Sequence, residues 1–89
     1  MNEAYLEVTF RRGRPIAAYY YLPRRRAQRS YRTQRFEPGI VVDFGRGGEP
    51  IGLEITAPSE ITLAAIHRVL RPLGLDTLRR GDIAPLLAA

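Results

Sequence analysis

The chain has no cysteine, no lysine and a single histidine in 89 residues. Without cysteine, disulfides, thiolate metal sites and thiol nucleophiles are excluded together, and nothing points to an oxidising compartment. Long apolar runs are also missing. The longest windows, "IAAYYYL" from Ile16 and "GIVV" from Gly39, fall far short of the roughly 20 residues that span a bilayer as a helix. No membrane span is expected. The opening "MNEAYLEVTF" lacks the basic-then-apolar order of a secretory signal and enters a strand-like pattern directly, so the expected location is cytoplasmic. Every cation is arginine. GC-rich codon usage produces that composition, and so does selection for the planar guanidinium fork that recognises phosphate and carboxylate.

What is present is a chain that is 45% hydrophobic and 26% charged, the balance of a folded domain rather than a disordered segment. Its length allows one small domain over residues 1–89 with a single two-layer core. The net charge of +5 is unevenly spread. Residues 1–10 carry Glu3 and Glu7 and no base, and residues 11–35 carry nine arginines and no acid. Residues 36–89 carry five arginines against seven acids. The basic character is therefore one contiguous block, with tyrosines interleaved in it.

Short strands come first. "YLEVTFRR" alternates, placing Leu6, Val8 and Phe10 on one face and Tyr5, Glu7, Thr9 and Arg11 on the other. A tight turn at "RGRP" leads to "IAAYYYL", with Ile16, Ala18, Tyr20 and Leu22 on one side and Ala17, Tyr19 and Tyr21 on the other. "SYRTQRF" reads as a third strand closed by Glu37-Pro38-Gly39. Its parity is awkward, because an inward Phe36 brings Gln34 and Arg32 with it. A short strand or a bulge is expected there, with only the Phe36 end in the core.

"GIVVDFGRGGEPIGLEIT" reads as two strands about a glycine-rich turn, with Ile40, Val42 and Phe44 facing the same way as Ile51, Leu53 and Ile55. Setting Phe44 opposite Ile51 places Asp43 beside Gly52 and Val41 beside Glu54 on the outer side. Thr62 is a good N-cap for "LAAIHRVLRPLGL", whose Leu63, Ile66, Val69, Leu70 and Leu73 form one apolar stripe. Arg68 and Arg71 fall on its solvent side, Pro72 and Gly74 mark its end, and Asp82 looks like the cap of a terminal turn. Strands over residues 1–57 followed by a helical segment over 58–89 predict an α+β domain. The architecture expected is an antiparallel β-meander of about five strands with a C-terminal helix packed on one face.

The stretch Gly39-Ile40-Val41-Val42-Asp43-Phe44, its turn, and Pro50-Ile51-Gly52-Leu53-Glu54-Ile55 resembles the small bacterial family catalogued as domain of unknown function 2283. "YLEVTFRRGRPIAAYYYL" looks like that family's opening hairpin, and "PSEITLAAIHRVLRPLGL" like a helix that some members append. The resemblance implies a compact sheet with a hairpin at its centre and no established activity. The chain departs from the family pattern at "RRRAQRSYRTQR", where acidic residues are usual.

Catalytic groups are sparse. His67 lies at the flank of the helix stripe, where a packing role is the simpler reading. Ser30 and Ser59 have no nucleophile-elbow context. Asp43 and Glu54 could do acid-base work or hold a hard cation, but ion pairing with Arg35 on the neighbouring strand is the simpler account. "GRGGEP" joins two strands and no helix N-terminus follows it, so it is a hairpin turn rather than a phosphate loop. No enzyme, cofactor, metal site or small-molecule substrate is expected. Binding is the stronger class. A sheet covered on one face leaves Tyr5, Thr9, Tyr19, Tyr21, Val41 and Thr56 on the other, and aromatics on an open face suit a partner. The leading expectation is a protein-interaction module, self-associating as a homodimer or docking on another protein. The alternative is single-stranded nucleic acid. Arg11, Arg12, Arg14, Arg24, Arg25, Arg26 and Arg29 would hold phosphates while Tyr31 and the strand tyrosines stack on bases. No ribonucleoprotein aromatic signature, GxxG loop or basic recognition helix accompanies them.

Overall fold

A computed structural model describes residues 3–23 and 28–87. Five strands form one antiparallel sheet: β1 (Tyr5–Arg11), β2 (Arg14–Tyr21), β3 (Arg32–Glu37), β4 (Ile40–Phe44) and β5 (Pro50–Ile55). Their order is β1-β2-β5-β4-β3. The sheet thus contains two meandering segments, β1–β2 and β3–β4–β5, joined where β2 pairs with β5. The α+β class and the five-stranded antiparallel sheet agree with the sequence pattern.

One face of this sheet is covered. A 3-10 turn at Pro58–Glu60 lies against β2, and the helix α1 (Leu63–Leu70) reaches β3. Thr62 caps α1, its Oγ1 accepting from the Ala65 amide at 3.1 Å, which satisfies one of the donors a helix start leaves unpaired. The helix stops before Pro72, and the bonds Gly74 N–H to Arg71 O and Leu75 N–H to Leu70 O close its end. Another 3-10 turn, Arg80–Ile83, runs into the short helix α2 (Ala84–Leu87). Asp82 accepts there from the Arg79 amide at 2.8 Å.

The core lies between these layers. Val42, Leu53, Val69 and Leu70 are wholly buried, with Ile40, Ile55, Ile66, Ile83 and Leu86 around them. Each such side chain contributes about 1.5–3 kcal/mol relative to exposure.

Two inward expectations are corrected. Phe10 is 50% exposed and Ile16 is 49% exposed. The pairing steps from Thr9–Ala17 to Phe10–Pro15, leaving Ile16 as an extra residue in β2. This bulge reverses the parity of the strand end, so Pro15 rather than Ile16 is buried. Phe10 is left at the hairpin end, beyond the last pairing of β2 with β5 at Ala18–Ile55. The bulge expected near Phe36 is present between Arg35 and Glu37. In the β4–β5 hairpin Asp43 faces Gly52 and Val41 faces Glu54 as expected, but Phe44 meets Pro50 through an irregularity after Asp43, not Ile51.

Candidate functional site: the tyrosine face of the sheet

The register places Tyr5, Glu7 and Thr9 of β1, Ala17, Tyr19 and Tyr21 of β2, Gly52 and Glu54 of β5, and Val41 and Asp43 of β4 on the face opposite the helices. Tyr5 and Tyr21 are cross-strand partners whose rings stack with centroids 4.4 Å apart. Tyr21 also meets Tyr19, at 4.5 Å and tilted 54°. Their hydroxyls are held by carboxylates. Tyr21 Oη donates to Glu7 Oε1 at 3.3 Å and Tyr19 Oη to Asp43 Oδ2 at 2.6 Å.

Tyr19 reaches Asp43 by crossing β5. The residue under its ring is Gly52, where a Cβ would collide with the ring's Cε1, Cζ and Oη. Glycine is needed there for close approach, and the ring covers the backbone the glycine leaves bare. Asp43 is consequently 8% exposed and is the buried charged residue among those described. Asp43 makes this phenol bond in place of the expected pairing with Arg35. Among the described residues the ion pair is that of Arg68 with Glu37, which ties α1 to β3. Among the described residues no group of three or more histidine, aspartate or glutamate side chains could hold a metal ion.

Five of the six candidate interface residues map to this face by register, and Thr56 lies just past the end of β5. Tyr5, at 47% exposure, and Thr9 lie on β1, Tyr19 and Tyr21 are half-buried on β2, and Val41 is half-buried on β4.

The arginine block does not stay together. Arg11, Arg12 and Arg14 surround the β1–β2 turn, lining a shallow depression with Ile16. Arg12 and Gly13 form that turn with φ of 52° and 78°. Arg29 and Tyr31 lie at the opposite end of the sheet. There the Tyr31 amide donates to the Phe44 carbonyl at 2.7 Å, and Tyr31 is 64% exposed. Strand β2 separates the groups by about 23 Å at roughly 3.3 Å per residue. Arg24, Arg25 and Arg26 lie outside the described residues. Glu7, Asp43 and Glu54 occupy the ground between, with Arg35 opposite Val41 at the β3 edge of the same face, so carboxylates surround the tyrosines and the basic residues lie at the margins.

Two basic contacts escaped the sequence reading. The Arg46 guanidinium lies 5.4 Å from the Tyr31 ring centre and that of Arg32 lies 4.1 Å from the Phe44 ring. Arg46 read as a hairpin-turn residue; its place beside Tyr31 follows from β3 pairing with β4, which carries Tyr31 to the end of the sheet where that turn lies. On the helix side, His67 is half-buried. Its Nε2 lies 2.9 Å from the Leu78 carbonyl oxygen and 3.1 Å from the Leu78 amide nitrogen, fastening the segment after α1 by whichever bond its tautomer allows. Comparison with protein-family models, curated proteins and solved structures finds no match.

Proposed function

We propose that this protein is a non-catalytic interaction module whose outer sheet face pairs with a second copy of itself. The observation that carries this reading is the Tyr5–Tyr21–Tyr19 cluster, set on a sheet face that no described helix covers. Tyrosine is suited to such a surface, because it offers a large contact area with few rotatable bonds and a polar tip that tolerates water. The hydroxyl bonds to Glu7 and Asp43 hold the rings in place before a partner arrives, which lowers the ordering cost of association. Edge pairing is less suited to β3, which presents Arg32 and Arg35 along the sheet edge, a common guard against strand addition.

Sedimentation equilibrium of the full chain tests the proposal. The expected mass is twice that of the chain, and Tyr5→Glu combined with Thr9→Glu, both exposed positions on the face, should return it to one. A wild-type monomer at high concentration would overturn the proposal. Salt-sensitive binding of a single-stranded oligonucleotide by that monomer would put the arginine-rich ends in its place.

A further inference from the structure

The outer side of the β1–β2 ribbon is written in four cross-strand rows: Tyr5 with Tyr21, Glu7 with Tyr19, Thr9 with Ala17, and Arg11 with Arg14. The last row depends on the bulge at Ile16. With regular alternation Arg14 would share the parity of Ala18 and Tyr20 and point to the helix side. The extra residue returns it to the outer face beside Arg11. One end of the ribbon is therefore aromatic and acidic, the other is basic, and the two lie about 20 Å apart at roughly 3.3 Å per residue.

We infer that two copies stack face to face with their ribbons antiparallel, so that Arg11 and Arg14 of one copy lie on Tyr5, Tyr21 and Glu7 of the other. The inference rests on the proposed pairing through this face and adds its register. A twofold axis between the sheets, perpendicular to the strands at the level of Val8 and Ala18, exchanges the first row with the fourth and the second with the third. Every position then meets a different one. The guanidinium groups then meet the tyrosine hydroxyls beside the Glu7 carboxylate, an arrangement favoured by ionic attraction and by the donor fork of arginine. Thr9 meets Glu7. On β5, Glu54 is level with Tyr19, and the same rotation brings it to Thr56. An axis running along β5 would instead press Glu54 against Glu54 in the middle of the contact. The antiparallel register is thus the one in which this charge pattern complements itself. It moves Arg11 and Arg14 from the anion-contact set into the interface.

Charge reversal with sedimentation equilibrium at low and high salt tests the register. Arg11→Glu with Arg14→Glu should weaken the dimer about tenfold or more, as loss of close interfacial charge contacts does. Glu7→Arg should weaken it as well, and Glu7→Arg combined with Arg11→Glu should recover most of the loss. Added salt should dissociate the wild type. Both arginines are exposed at a hairpin end, and far-ultraviolet circular dichroism verifies that each variant is folded. A salt-insensitive dimer that survives Arg11→Glu with Arg14→Glu, yet is broken by Tyr5→Glu with Thr9→Glu, overturns the register and leaves the face pairing standing. A wild-type monomer overturns both.

Discussion

At the scale of single residues, the outer face is organised by a glycine. Gly52 lets Tyr19 cross β5, and Tyr19 supplies the hydroxyl that satisfies the nearly buried Asp43. Losing either member should cost more than the hydrogen bond itself, because it leaves a desolvated carboxylate without its donor. Gly52→Ala and Tyr19→Phe should each destabilise the fold by about 1–3 kcal/mol. Their double variant should lose less than the sum, since both break one bond. Urea denaturation of the three variants measures this. A neutral Gly52→Ala would show that the ring does not need its place over β5. Arg12 is a second special position. Its φ of 52° lies in the left-handed region, which costs a side-chain-bearing residue about 1–2 kcal/mol. Asparagine tolerates that region and favours this kind of hairpin turn. Arg12→Asn should therefore stabilise the protein by about 1 kcal/mol, visible as a melting temperature some 4–8 °C higher in a domain of this size.

At the scale of elements, the β4–β5 hairpin and α1 were legible in the sequence because each carries its own period. Ile40, Val42 and Phe44 alternate, and Leu63, Ile66, Val69 and Leu70 recur at helical spacing behind a capping threonine. The placement of Tyr5, Thr9, Tyr19, Tyr21 and Val41 on one face was legible for the same reason: parity alone assigns a strand residue to a face. Three features were not. The bulge at Ile16 follows Pro15, which reads as part of the preceding turn rather than as a bulge, and it reassigns Pro15, Ile16 and Arg14 at once. The pairing of β2 with β5 joins segments some thirty residues apart, and neither strand encodes its neighbour. The Tyr19–Asp43 bond depends on that pairing and was hidden with it.

The C-terminal elements matter to Tyr20, which faces the core from β2. Burial pushes its phenol pKa above the ordinary value of about 10, and the carboxylates of Asp82 and Asp76 push it further in the same direction. A raised pKa in the folded state means that the native protein favours the neutral phenol. The associated stability is complete below about pH 10 and is lost as the pH rises from the unfolded-state value through the folded one. Wild-type stability should therefore fall more steeply between pH 9 and pH 11 than that of Tyr20→Phe, followed by urea unfolding at each pH. Parallel curves would mean that the C-terminal segment does not hold Tyr20 in its neutral form.

At the scale of the whole molecule, the sheet has a strong centre and weak extremities. β5 is hydrogen-bonded on both sides, to β2 and β4, and carries the wholly buried Leu53. β1 is an edge, and β2 pairs with β5 only from Ala18 to Tyr21, so the ribbon from Thr9 to Ala17 stands as two strands alone. Two-stranded ribbons are marginal without support. Native-state hydrogen exchange should accordingly be slowest in β5 and fastest, among the strands, around Arg11 to Ala17. The same measurement separates modes of association. A face-to-face dimer packs side chains and leaves the free edge of β1 open, so the outward amides of β1 should exchange at nearly the same rate at low and high protein concentration. An edge-to-edge dimer would bond those amides to a second sheet and slow them as the concentration rises. Protection of β1 that grows with concentration would therefore place the contact at the sheet edge and rule out the tyrosine face.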